Sequence, residues 1–103
     1  MKDFRILPEV ADDVAAAADW YDRKGYDGLG ERFITTFYSA VTYLRENGEI
    51  YRMVYSDFRR IWLRPFSYAV YYRYHGELLV VSLVIHAARK PARVRSILRA
   101  RRQ

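Results

Sequence analysis

Residues 58–91, FRRIWLRPFSYAVYYRYHGELLVVSLVIHAARKP, constrain the fold of this chain more than any other stretch. The first part alternates, with Phe58, Arg60 and Trp62 on one side of an extended backbone and Arg59, Ile61 and Leu63 on the other, which is the period of a strand. Phe66, Tyr68, Val70, Tyr72 and Tyr74 then oppose Ser67, Ala69, Tyr71 and Arg73 in a second alternating run. His75-Gly76 is a tight-turn signal. Residues 78–85 are almost wholly apolar, as expected of a central strand covered on both faces. An antiparallel sheet follows, and it needs covering elements from elsewhere in the chain.

The first half supplies them. Residues 4–7 alternate and form a short first strand. Pro8 then suits the first turn of a helix, where its missing N–H costs nothing, and Glu9 favours the positive end of the dipole. Val10, Val14, Ala17, Ala18 and Tyr21 recur at helical spacing and make one apolar face, and Gly25 is a stop signal. A second helix is expected from Gly28 or Leu29 to about Arg45, with Phe33, Phe37, Ala40, Val41 and Leu44 on its inner face and Asn47-Gly48 as the break. The short connection predicts an antiparallel helical hairpin. Pro91 opens a short final helix over residues 92–100, with Val94, Ile97 and Leu98 as a narrow stripe among arginines. The expected architecture is α+β: an N-terminal strand and helical hairpin packed on a small antiparallel sheet of about four strands, with a short C-terminal helix.

At 103 residues, 51% hydrophobic and 17% aromatic, the chain suits one folded domain over residues 1–103 and lies far from the composition of disorder. It has no cysteine, which excludes a disulfide framework, a thiol nucleophile and a thiolate metal site. The N-terminus MKDFRILPEV lacks the apolar region of a signal peptide, and no apolar run approaches the ~20 residues of a membrane span. A cytoplasmic location away from the membrane is expected. The formal net charge is +6. From Arg89 onward there are seven basic residues and no acidic ones, so all of the excess falls in the last fifteen residues. Such a cluster steers encounters with polyanions and acidic proteins.

The order strand, two helices, strand meander, together with Gly28-Leu29-Gly30-Glu31-Arg32-Phe33 opening the second helix, resembles the RelE/ParE toxin superfamily. Phe58-Arg59-Arg60, Pro65-Phe66-Ser67-Tyr68-Ala69-Val70-Tyr71-Tyr72-Arg73 and Leu83-Val84-Ile85-His86-Ala87-Ala88-Arg89 match it in the same order. The resemblance implies the toxin of a type II toxin–antitoxin pair, in hetero-oligomer with a cognate antitoxin that neutralises it. RelE-like members cut messenger RNA on the ribosome, whereas ParE-like members inhibit DNA gyrase. RNA cleavage needs a group to take the 2′-hydroxyl proton, cations for the phosphorane and a donor for the leaving oxygen. Where the RelE pattern carries an arginine, just after the tyrosine of Ser67-Tyr68, this chain has Ala69, and residues 90–103 contain no tyrosine, with Ile97 near its place. The ParE-like reading is therefore preferred, with a ribosome-dependent endoribonuclease and a basic nucleic-acid-binding module as alternatives.

The candidate binding residues, for target or antitoxin, are Arg59, Arg60, Arg64, Tyr71, Arg73, His86, Arg89, Arg93 and Arg95. If the chain is a nuclease, His86, Arg89, Arg73 and Arg60 are its candidate catalytic groups. Strand alternation puts Arg59 and Arg60 on opposite faces, so the strand arginines cannot all share one surface. Arg89 has a plainer alternative in an ion pair with Asp19 or Asp22. The tyrosines at 68, 71, 72 and 74, with Trp62, read first as core, Tyr71 being the exception most suited to an exposed role. Asp12, Asp13 and Asp19 lie off the apolar stripe and read as a solvated face. No metal-ligand spacing is present, and no cofactor is expected.

Overall fold

The computed structural model of the chain describes residues 1–25 and 27–102. After the first strand, β1 (Phe4–Ile6), Pro8 takes the opening turn of α1 (Pro8–Arg23). The next helix, α2 (Leu29–Asn47), starts from Gly28, whose φ of 83° lies in the left-handed region that glycine enters without strain. Gly30 has a different role. Its amide donates to Asp22 Oδ1 at 2.8 Å, and a Cβ there would sit 2.5 Å from the Ala18 carbonyl oxygen, so the two helices meet at a point where no side chain fits. One 3₁₀ turn (Gly48–Ile50) leads into β2 (Met53–Tyr55), β3 (Phe58–Trp62), β4 (Tyr68–His75), β5 (Leu78–His86) and finally α3 (Pro91–Arg101).

The sheet has five strands in the order β1-β5-β4-β3-β2, where about four antiparallel ones were expected. The added strand is β2, three residues long and with too little alternation to be recognised. The strands from β2 to β5 pair antiparallel, but β1 runs parallel to β5, which the chain reaches only after the helical hairpin and the three strands β2, β3 and β4. The middle position belongs to β4; β5 lies beside it, still interior. Between β4 and β5 the register shifts, with Tyr71 opposite Leu83 and Tyr72 opposite Val81. Ser82 is thus an extra residue, a β-bulge.

The bulge reverses the alternation of β5. Leu79, Val81 and Val84 face the helical hairpin, where they pack with Val10, Phe33, Phe37, Leu44 and Tyr72. Leu83 and Ile85 face the other way and join Phe58, Ala69 and Tyr71 under Val94 and Leu98 of α3. The expected inner faces of all three helices are the observed ones. Two tyrosines, Tyr72 buried and Tyr74 partly so, do more than fill space: the Tyr72 hydroxyl donates to the Gly48 carbonyl at 2.7 Å and that of Tyr74 to the Leu44 carbonyl at 2.8 Å. Each thereby adds a second hydrogen bond to a carbonyl at the C-terminal end of α2 that already accepts a backbone N–H, Leu44 from Gly48 and Gly48 from Tyr51. Burial pushes the Tyr72 phenol far above its usual range.

The sequence reading of Asp13 as solvated is corrected here. β1 pairs only as far as Val81, so the edge of β5 beyond it is open, and Asp13 fills the gap. Asp13 Oδ2 accepts the Val84 N–H at 3.1 Å and an Arg101 N–H at 2.6 Å, while Oδ1 accepts a second from Arg101 at 3.1 Å. Arg101 also donates to the Ser82 carbonyl at 3.2 Å. The pair ties α1, the β5 edge and α3 together, with both side chains less than one-fifth exposed. At the far side of α3, Asp57 accepts from Arg102 at 2.6 Å.

Four stability outcomes follow. Asp13→Ala leaves Arg101 half-buried without its counter-charge and the Val84 amide without an acceptor, with an expected loss of about 3 kcal/mol in urea denaturation. Asp19→Ala, which breaks an exposed pair with Arg23, is expected to cost about 0.5 kcal/mol or less. Gly30→Ala is expected to cost about 1–3 kcal/mol by the same measurement, because the methyl group meets backbone. The Arg102 hydrogen bond, with the charge of Arg73 behind it, holds the Asp57 carboxyl below the usual aspartate range. The stability it contributes is complete above the ordinary aspartate pKa of about 3.9 and disappears as pH falls through the lowered folded-state value. Thermal melts from about pH 5 to about pH 2 should therefore show the advantage of the native chain over Asp57→Asn shrinking to nothing at the acid end.

Candidate functional site

β2 pairs with β3 only at Phe58 and Arg59, so Arg60 and Trp62 project past it on the face that α3 covers. α3 in turn reaches that face with Val94 and Leu98, further from Trp62. Between them lies a groove of about 190 Å³, floored by Ala69, Tyr71 and Ile85 and walled by Arg60, Trp62, His86, Arg89 and Arg95. Ala69 keeps the groove open, since any longer side chain at that buried position would rise into it.

The cations of the groove are held in different ways. The Arg60 guanidinium lies 5.0 Å from the Trp62 ring centroid and 6.0 Å from that of Tyr71, two cation–π contacts that favour the charge. Its Nη1 reaches the Tyr71 hydroxyl at 3.5 Å. Arg89 and Arg95 are exposed, and among the described residues neither pairs with a carboxylate. The expected alternative for Arg89 is not made: Asp19 pairs with Arg23, and Asp22 accepts the Gly30 amide. Arg89, Lys90, Arg93 and Arg95 stand at the beginning of α3, whose first turn holds no acid. The positive end of the helix dipole adds to their mutual repulsion there.

His86 ends β5 at the junction. Its Nδ1 accepts the Ala88 N–H at 3.0 Å, and its ring meets Tyr68 edge-on at 5.1 Å. In the neutral ring the proton therefore sits on Nε2, so His86 offers the groove a donor rather than a base. Burial raises the Tyr68 phenol above its usual value.

The structure thus brings Arg60, Tyr71, His86, Arg89 and Arg95 together and places the other candidates elsewhere. Arg59 faces the helical hairpin, where its Nη1 donates to the Glu49 and Tyr51 carbonyls at 2.7 and 2.6 Å. Arg64 is exposed in the loop before β4. Arg73 is buried near the other end of α3, 3.9 Å from Asp57. Arg93 lines a second cleft, of about 360 Å³, between α1 and α3, which shares His86 and Arg89 with the groove. The sequence reading left out three residues: Trp62, weighed there as core but 37% exposed, Tyr55, hidden with the unrecognised β2, and Trp20, on the rim of the second cleft. Only Trp62 carried a sequence signal, its place beside Arg60 on one face. Among the described residues no group of three His, Asp or Glu side chains is placed to hold a metal, and no helix is long and apolar enough to cross a membrane.

No protein-family model matches the sequence, and no curated protein matches it. Among solved structures, a chain from the "Chromosomal ParDE TA system from P. aeruginosa" is similar to it with a TM-score of 0.74 and 13% identity, covering 84% of this chain and 96% of that one. At that identity the likeness is one of fold alone: the chain shares the fold of that ParDE-system chain, the α+β arrangement expected from the sequence.

Proposed function

We propose that this chain is the toxin of a type II toxin–antitoxin pair and that it acts as a ParE-like inhibitor of DNA gyrase, by contact rather than by cleaving RNA. The observation that carries the reading is the chemistry of the groove. Its guanidinium groups stay protonated at any physiological pH, Ala69 contributes no functional group, and His86 has committed Nδ1 to the Ala88 amide. The groove offers cations and aromatic rings for binding, and no side chain in it is poised to take a proton from a 2′-hydroxyl. The fold shared with a ParDE chain supports the toxin–antitoxin context.

The antitoxin in this reading is acidic. Arg89, Arg93 and Arg95, none of which pairs with a carboxylate among the described residues, crowd the start of α3, and a carboxylate-bearing segment laid across them relieves that repulsion and speeds association. The apolar groove floor and the Trp62 ring supply the contact area that fixes such a segment in place.

Expressing the chain in bacteria while following plasmid supercoiling and translation separately tests the proposal. The expected result is loss of negative supercoiling with translation continuing, reproduced by inhibition of purified gyrase. Arg60→Ala, and the double change Arg89→Ala with Arg95→Ala, should each weaken gyrase inhibition about 10-fold or more with the circular dichroism spectrum unchanged. Rapid translation arrest with cleaved messenger RNA and intact supercoiling would overturn the reading in favour of a ribosome-dependent nuclease.

A further inference from the structure

The cleft between α1 and α3 has a construction of its own. Asp13, Ala16, Ala17 and Trp20 follow one another at helical spacing along one wall, and Arg93, Ile97 and Arg101 do so along the other. Asp13 and Arg101 tie the walls together at one end. Two alanines facing one isoleucine leave the middle unfilled, and the far end holds Trp20, 41% exposed, and Arg93. The resulting volume of about 360 Å³ lies within the range of small-molecule sites, about 300–1,000 Å³.

The floor is the open edge of β5. The Tyr68 carbonyl accepts the Leu63 N–H at 2.9 Å and the Ser67 carbonyl accepts that of Ala87 at 2.8 Å, so where Tyr68 stands opposite His86 the two backbones turn their polar groups away from each other. Val84 and His86 therefore direct their N–H and C=O groups outward, on the side of the cleft that both residues line. Asp13 takes the Val84 N–H, and the Arg89 N–H takes the His86 carbonyl at 3.1 Å. The Val84 carbonyl and the His86 N–H remain, side by side around Ile85, where β1 has already ended. Val84 is buried, and a carbonyl without a partner there is costly. A further strand would need the groups that Asp13 and Arg89 have taken. One acceptor beside one donor instead matches a flat heterocycle with a donor next to an acceptor, as in adenine, whose amino group adjoins a ring nitrogen.

The mouth supplies what a nucleotide needs besides. Arg89 and Arg93 are exposed and pair with no carboxylate among the described residues. Asp13, the one carboxylate among the residues lining the cleft, is engaged by Arg101. Guanidinium forks match phosphate oxygens, while Ile97 and the Trp20 ring offer apolar surface to the faces of a base. We propose that this cleft binds an adenine nucleotide, with the base edge on the Val84 carbonyl and the His86 N–H, the ring between Ala16 and Ile97, and the phosphate on Arg89 and Arg93. The site lies beside the groove, and the proposal stands whether or not the groove contacts gyrase.

The test is titration of the full chain with AMP at physiological ionic strength, followed by isothermal calorimetry and amide NMR. Saturable one-to-one binding is expected, with the His86 amide resonance shifted. AMP dimethylated at its amino group, which has lost the donor for the Val84 carbonyl, should bind about 5-fold or more weakly, and ribose 5-phosphate more weakly still. Ala16→Leu, which fills the cleft from an exposed position, should abolish binding with the melting temperature unchanged. Arg93→Ala should weaken it about 10-fold, Arg93→Lys should restore part of that loss, and Arg32→Ala, at an exposed position on α2, should leave binding as it was. Absence of saturation, equal binding of ribose 5-phosphate, or undiminished binding by Ala16→Leu would overturn the proposal. So would tighter binding of GMP or CMP than of AMP. A loss on Arg60→Ala that Ala16→Leu does not share would also overturn it, since the groove would then hold the nucleotide.

Discussion

Both hydrophobic layers of the molecule rest on β5. A strand with apolar side chains on its two faces cannot lie against water on either, and burying each large side chain contributes about 1.5–3 kcal/mol. Leu79, Val81 and Val84 draw the helical hairpin onto one face; Leu83 and Ile85 draw α3 onto the other. That double demand turns an arginine-rich C-terminal segment, with a stripe of only Val94, Ile97 and Leu98, into a docked helix. The stripe alone would hold it weakly. Polar ties at its end complete the docking, with Arg101 on Asp13 and Arg102 on Asp57.

The basic segment consequently divides its charges by position. Toward the end of α3 the arginines find carboxylates, and the negative end of the helix dipole favours them as well. At the beginning they find neither. The groove opens at that unfavourable end, next to Trp62 and Tyr71, so a region that costs stability in the isolated chain is also one that an acidic or phosphate-bearing surface would stabilise.

Much of this was legible in the sequence because it depends on local period. The inner faces of the helices, the opposition of Arg59 to Arg60, and the alternation from Phe66 to Tyr74 follow from spacing alone. Properties set by distant residues were not legible. Three-residue β2 has no period of its own, and the parallel direction of β1 depends on the helical hairpin and the three successive strands between it and its partner. Asp13 reads as a surface residue within its helix, and only the early end of β1 gives it an open strand edge to fill. For the site, the sequence named five residues that the fold gathers but could not separate them from Arg59 and Arg73, whose partners lie on other elements. Trp62 was weighed as core because nothing local reveals that β2 stops short of it.

The bulge at Ser82 sets the phase of β5. Insertions in surface loops such as the one carrying Arg64 cost only a little closure entropy. Pairing Ser82 as an ordinary strand residue, with the bulge lost and the residue kept, is another matter, since strict alternation through all of β5 would exchange the two faces of everything after it. Val84 would turn from the helical hairpin toward α3, and Leu83 and Ile85 would do the reverse. His86 would leave its place beside Tyr68 at the same step. One small hydroxyl-bearing residue, bonded only to the Val80 carbonyl through its side chain, thus holds the phase between the half of the strand that builds the core and the half that shapes the groove.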